Sequence, residues 1–299
     1  MKKSSLLVSA LLILLTSASG LAKPLPDALQ PVNAYSLGMG MTGVALPHNP
    51  AILYWNPAGM AAASLSSADI SVASPRFEGP GNWSVIIANS SPDDDRHFGM
   101  AMVRRSVKRD SISHKNFQLG VPLSYSLFGG VLPVGFSVKL ISESYQGAKW
   151  KYGLAFDVGA ILKLGAFRVG FASHNIGGSD LHDFRRRSYL GGSFRTSGGG
   201  VTLSSQTELL EKMTREKMRD NYGLGVGLHF WQSIPELTLG QSEQSGERWL
   251  TAGLSYRQPK NNNRISYAFA YNAGDHSRRV HIFTYSIGSP VLETGRGGI

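Results

Sequence analysis

The chain has 299 residues, 35 of them glycine and none cysteine, and a formal net charge of +10. The lack of cysteine excludes a disulfide, a thiolate metal site, a cysteine nucleophile and an acylated lipoprotein anchor. Mean hydropathy is slightly negative, which is odd for a helical membrane protein. A barrel, in which only alternate residues meet lipid, escapes that constraint, and glycine is enriched at roughly 12% against about 7% in ordinary proteins.

Residues 1–22 read as an export signal. Lys2 and Lys3 form the positive start, residues 6–15 the apolar run, and Gly20-Leu21-Ala22 a small-residue cleavage site. Cleavage after Gly20 fits nearly as well. The apolar run is shorter than the ~20 residues of a spanning helix. Loss of Lys2 and Lys3 takes the net charge from +10 to +8. For an exported chain, that excess fits anionic lipid phosphates better than nucleic acid.

Residues 23–66 form a separate N-terminal segment. Its Gly38-Met39-Gly40-Met41-Thr42-Gly43 has the spacing of a dinucleotide-binding glycine loop. The context is wrong for one: no strand precedes it, Pro47 interrupts the helix that should follow, and no βαβ unit surrounds it. Close backbone packing is the simpler role, and no cofactor is expected.

From residue 67 the pattern changes to period two, broken every ten to fifteen residues by Gly, Asn or Asp. It predicts fourteen strands, near 67–77, 82–90, 95–106, 114–127, 131–145, 151–164, 166–176, 187–196, 199–209, 220–231, 233–241, 247–257, 263–273 and 277–288. In residues 151–162, Tyr152, Leu154, Phe156, Val158, Ala160 and Leu162 share one face. Lys151, Gly153, Ala155, Asp157 and Gly159 share the other. Many such strands over 67–299 predict an all-β chain, a transmembrane antiparallel barrel of about 14 strands, greasy outside and wet inside. A secreted propeller or sandwich also has many short strands, but propeller blades bury both faces and would not place glycine at alternate positions along whole strands. The last strand is irregular, with Val280 and Ile282 opposite His281, Phe283 and Tyr285. Residues 207–218 suit a short amphipathic helix or a charged loop equally.

Breaks after even-numbered strands read as tight (Gly129-Gly130, Leu164-Gly165, Ser197-Gly198, Gln232-Ser233). Those after odd-numbered strands read as longer and charged (105–113, 174–187, 211–219). Short turns belong to the periplasmic end of outer-membrane barrels, so both ends of the barrel are expected there.

Residues 36–60 carry a further signal. Glycines 38, 40 and 43 lead to Asn56, Pro57, Ala58 and Gly59 just before the first strand. This resembles the N-terminal signature of FadL-like outer-membrane proteins, including the compact PorV-type group. Asn175-Ile176-Gly177 and the following run 187–194 resemble later strands of that group. The resemblance implies a hatch that folds into the barrel, with Gly38, Gly40, Gly43, Asn56, Pro57, Ala58 and Gly59 as its shape-determining residues. An ordinary N-terminal arm outside the barrel is the alternative. Pro57 would fix the entry turn and Asn56 would cap it. The resemblance implies passive transport of small hydrophobic molecules, fatty-acid-like or aromatic. In the PorV-type group it implies instead a secretion accessory that binds exported proteins. About 277 residues after the signal leave little for the long outer loops of fatty-acid transporters, and the chain ends Gly297-Gly298-Ile299 without a terminal aromatic. The first departure leans toward the compact group; after the second, any assembly signal is expected internally, around Phe283 or Tyr285.

Catalysis has little support. The eight histidines (48, 97, 114, 174, 182, 229, 276 and 281) form no zinc-like helical pair, and no Gly-x-Ser-x-Gly turn occurs. No enzyme activity and no metal site are expected; Asp93-Asp94-Asp95 reads as a solvated turn rather than a cation site. Arg185, Arg186 and Arg187 with Arg104, Arg105, Lys108 and Arg109 would contact lipopolysaccharide phosphates or simply solvate loops. The expected protein is a monomer in the outer membrane, in contact with its lipids and lipopolysaccharide and with a hydrophobic ligand or secreted proteins, and with no nucleic acid.

Overall fold

The computed structural model describes residues 32–46, 50–63, 66–74, 82–90, 95–109, 112–145, 148–178, 181, 184–196, 199–209, 221–230, 235–244, 246–258, 263–276 and 278–288. The signal at 1–22, Pro47, His48, Asp93, Asp94, His182, the turn pairs 197–198 and 232–233, most of the ambiguous 207–218 stretch and the terminal 297–299 lie outside these residues.

Alternation of apolar and small residues produces fourteen antiparallel strands. They are β1 (Ser67–Ser74), β2 (Asn82–Asn89), β3 (Arg96–Arg109), β4 (Ile112–Leu127), β5 (Leu132–Tyr145), β6 (Lys151–Leu164) and β7 (Phe167–Ile176), then β8 (Arg187–Arg195), β9 (Val201–Leu209), β10 (Asn221–His229), β11 (Glu236–Gln244), β12 (Glu247–Arg257), β13 (Arg264–Asn272) and β14 (Arg279–Ile287). Each pairs with its sequence neighbour, and β1 pairs with β14, from Ala68 opposite Ile287 to Ser74 opposite His281, closing the barrel. Closure leaves no edge strand and satisfies the backbone within the sheet, as a hydrocarbon surround demands.

The outward face is apolar. Val121, Leu123, Val138, Leu140, Leu154 and Leu224 are all exposed, while their strand neighbours Pro122, Ser124, Ser137, Lys139, Ala155 and Gly223 turn inward and are buried. Around the end where even-numbered strands finish, Phe98, Tyr125, Phe167, Phe230, Tyr256 and Tyr285 form an exposed aromatic girdle.

Two expectations need correction. Residues 105–113 are mostly strand: β3 runs to Arg109 and β4 starts at Ile112, because Arg105 to Arg109 continue pairing with Asn116 to Ile112. β11, expected from residue 233, is described from Glu236, while the turn pair read before it lies outside the described residues.

Among the described residues, three short helices precede the barrel: α1 (Ala34–Gly38), α2 (Ile52–Trp55) and α3 (Gly59–Ala63). The described residues between Val32 and Ala62 are almost entirely buried, and the helices lie against the inward faces of the strands. Hydrogen bonds run from this segment to strands on every side. Asn33 Nδ2 donates to Asp69 on β1 at 2.9 Å, Ala34 N to Thr284 on β14 at 2.8 Å, and Ala61 N to Ser124 on β4 at 3.1 Å. Gln206 Oε1 on β9 accepts from Gly43 N and Val44 N.

The barrel interior is accordingly not uniformly wet. Leu37, Ile52, Leu53 and Met60 pack with inward Ile86, Val103, Ala268, Ala270, Val280 and Ile282 in one apolar cluster. This explains the irregular last strand: Val280 and Ile282 face inward onto the segment, while outward positions stay apolar for the surround.

Candidate functional site

The glycines of the segment sit at close contacts, and at Gly40 backbone meets backbone. Gly40 adopts φ +68°, and a side chain there would collide with the Leu224 carbonyl on β10 and the backbone of Gln241 on β11. Strand glycines answer from the other side: a methyl on Gly225 or Gly240 would strike Met39 and Gly40, and one on Gly170 would strike the Val44 carbonyl. Gly38 lies against Thr238 and Gly253, Gly43 under the Trp55 ring, and Gly59 against Ile52.

Asn56 is the hub of the turn after α2. Its Oδ1 accepts from Ala58 N at 3.0 Å, and its Nδ2 lies within 3.2 Å of the carbonyls of Val44, Ala160 and Phe171. Pro57 and Ala58 lie against Gly135 of β5, where a Cβ would overlap their backbone.

A buried polar cluster stands beside this turn. Lys139 on β5 pairs with Asp157 on β6 at 2.8 Å. The other Asp157 oxygen meets His174 Nδ1 on β7 at 3.1 Å, and His174 Nε2 reaches the Trp55 carbonyl at 3.0 Å. A bulge makes this geometry. Phe156 pairs with Ile176 but Val158 with Ser173, so β7 carries an extra residue and Asn175 turns to φ +58°. Its N–H then donates to Asp157 Oδ1 at 2.9 Å, and Lys139 Nζ donates to its Oδ1 at 2.6 Å. The Asn175-Ile176-Gly177 strand end thus serves to aim His174 and Asn175 at one carboxylate.

Above the cluster, toward the odd-numbered connections, two adjoining small cavities of about 30 Å³ each share Trp55, Arg187 and Tyr189 in their walls. One extends past Met41, Gln206, Glu208 and Tyr222. The other extends past Tyr54, Arg105, Gln118, Lys139, His174 and Phe184. Aromatic rings make a cage between them. Tyr54 meets Trp55 edge-on at 5.6 Å between centroids, His174 meets Tyr189 at 5.5 Å, and Trp55 meets Tyr189 at 6.4 Å.

The basic residues grouped by sequence divide here. Arg105 and Arg187 point inward and line the cavities, whereas Arg104, Arg185 and Arg186 are exposed; the side chains of Lys108 and Arg109 lie outside the described residues. The other described histidines have local partners. His97 bonds Ser90, His114 stacks on Tyr145, His229 meets Glu236 at 3.2 Å, His276 packs on Tyr271 and His281 bonds Tyr267. Among the described residues no group of three or more His, Asp or Glu side chains has metal-binding geometry. Tyr54, Trp55, Gln118, Lys139, His174 and Tyr189 escaped the sequence reading as site residues. The usable signal was a charged residue at an inward, mid-strand position, as at Lys139 and Asp157.

A closed fourteen-stranded barrel with an apolar outer belt and its own N-terminal chain packed on the inward faces is the architecture of a transmembrane β-barrel. The comparisons agree at the level of fold. The chain is similar to the Pseudomonas putida toluene transporter TodX, with a TM-score of 0.61 and 14% identity over 87% of this chain and 98% of that one. It is equally similar to the TodX deltaS2S3 mutant, a monoaromatic hydrocarbon channel, with a TM-score of 0.61 and 14% identity over 87% and 99% of the two chains. No protein-family model matches the sequence, and no curated protein matches it.

Proposed function

We propose that this protein is a FadL-like outer-membrane barrel through which small hydrophobic molecules cross passively, with residues 36–60 as its hatch. The carrying observation is a closed barrel with an apolar outer belt whose interior is crossed by the segment itself. Trp55 belongs to both cavities and to α2, so a molecule entering from the odd-numbered end meets the segment before it can go further. Each recess holds only about 30 Å³, against about 150 Å³ for an apolar cavity that takes benzene, so a ligand passes only when the segment moves. Gly38, Gly40, Gly43, Asn56, Pro57, Ala58 and Gly59 shape the hatch rather than do chemistry, and no enzyme activity is assigned. The barrel sits with the ends of β1 and β14 that adjoin the segment toward the periplasm and with exposed Arg104, Arg185 and Arg186 toward lipopolysaccharide.

The test uses the absence of native cysteine. Thr42 Oγ1 and Ser204 Oγ are 2.5 Å apart, so Thr42→Cys with Ser204→Cys should form a disulfide between segment and β9. In vesicles with a lipopolysaccharide outer leaflet, the reduced protein should admit labelled toluene or fatty acid and the oxidised protein should not. Equal flux in both forms would remove hatch movement from the mechanism. No flux in either, above empty vesicles, would remove the transport reading. Co-purification of exported proteins in place of ligand uptake would move the assignment to the secretion-accessory role of the PorV-type group.

A further inference from the structure

We propose that His174 is a pH-operated latch between hatch and wall: its imidazolium holds α2 against β6, and loss of one proton releases α2. As regulation of the hatch, the latch rests on the transport reading. Both ring nitrogens face atoms that only accept. Nδ1 lies 3.1 Å from a carboxylate oxygen of Asp157, and Nε2 lies 3.0 Å from the Trp55 carbonyl. A neutral imidazole has one N–H and one lone pair, so it answers one of these acceptors; the doubly protonated ring answers both. Elsewhere in the barrel the pairing is adaptable. Nδ1 of His97 and Nδ1 of His281 each meet a hydroxyl, of Ser90 and Tyr267, which donates or accepts as the ring requires.

The surroundings decide which contact breaks. The other Asp157 oxygen keeps Lys139 Nζ at 2.8 Å and the Asn175 N–H at 2.9 Å, whatever the charge on His174. A hydrogen bond to a carboxylate is stronger than one to a neutral carbonyl, so the last ring proton stays on Nδ1. Nε2 then turns a lone pair toward the Trp55 oxygen, a carbonyl at the end of α2, where a helix supplies no partner of its own. The titratable groups facing the ring are Asp157 on β6, Lys139 on β5, Arg105 on β3, Arg187 and Tyr189 on β8, Glu208 on β9 and Tyr54 on α2. They pair among themselves: Lys139 with Asp157, Arg105 with the Tyr54 hydroxyl at 2.7 Å, and Arg187 with Tyr189 and, at 4.0 Å, with Glu208. Loss of the ring proton therefore strands no other charge, and its one structural consequence falls on α2. The recess of about 30 Å³ beside the ring has room for a water that carries the proton.

The experiment follows backbone hydrogen exchange of the whole protein in detergent from about pH 5 to about pH 9, a range that brackets histidine titration. Exchange is expressed as protection relative to an unstructured chain at each pH. The amides of residues 53–56, which close α2, should lose protection at least about tenfold as pH rises, the effect of losing one charge-assisted hydrogen bond. Those of β5 should hold theirs. His174→Gln, whose amide never gains a charge, should show the high-pH protection throughout. Should that variant misfold, nitrogen-15 histidine spectra of the unaltered protein decide. One ring must pass from two N–H groups to Nδ1–H alone at the midpoint of the exchange. Constant protection, a pH dependence that survives His174→Gln, or no histidine titrating at that midpoint would overturn the latch. In vesicles, toluene flux through the unaltered protein should rise with pH, and flux through His174→Gln should not vary. Flux with no pH dependence overturns the latch and leaves the channel reading intact. The exchange change without any flux keeps the latch and overturns the transport reading.

Discussion

Gly225 illustrates how one residue serves two requirements. It keeps strand period, lying between outward Leu224 and Val226, and it leaves room for the Met39 backbone to touch the barrel wall. Gly225→Val should therefore cost about 1–3 kcal/mol through overpacking. It should also raise hydrogen exchange across residues 34–46, although valine is a better strand former. Leu224→Val, one position away on the outward face, should leave that exchange unchanged. Asn56 works by a different principle, joining its own turn to Val44 and to two strands through one amide. Sequence context pointed to Asn56 as a turn cap; its reach to Ala160 and Phe171 depends on distant strands, which no local pattern encodes.

At the scale of elements, the β6–β7 bulge is the place where sheet regularity yields to a specific contact. An extra residue in β7 brings His174 and Asn175 to one carboxylate that already pairs with Lys139. Asp157→Asn leaves Lys139 buried without its counter-charge, a loss on the order of 3–5 kcal/mol. The melting transition in detergent should fall accordingly. Replacing the pair together, Lys139→Met with Asp157→Leu, should recover most of the loss, because the desolvation of both charges is then avoided. Failure of the double variant to recover would mean that the His174 and Asn175 contacts, rather than the ion pair, hold β7 in register. Strand positions themselves were legible, since exposed apolar side chains at every second residue leave only one phase for each strand. The ends were less so. At β3–β4 a charged run continues as paired strand, because charged side chains near a barrel rim cost little once the backbone is hydrogen-bonded to its neighbour.

For the whole molecule the decisive property is the outer belt. Val138 lies at the middle of β5 and faces outward. Val138→Arg should destabilise the protein in bilayers by about 2–4 kcal/mol, the midplane penalty for arginine on a lipid-facing strand. In a water-soluble barrel the same change would be nearly neutral. Folding titrations of the variant and the parent into lipid vesicles measure the difference, and a near-zero value would place the belt outside hydrocarbon.

Sequence by itself determined the class of sheet, a strand count of about fourteen and which side chains face out, because a period of two survives any long-range arrangement and a lipid-facing wall enforces it. It also marked residues 36–60 as unlike the rest. Only the tertiary structure decided what those residues touch, which half of the interior is dry, and that Arg105 and Arg187 leave the rim to join Tyr54, Trp55, Gln118 and Tyr189 around one chamber. These partners are separated by dozens of residues, and closure of the sheet, through the β1–β14 pairing, is what makes them neighbours.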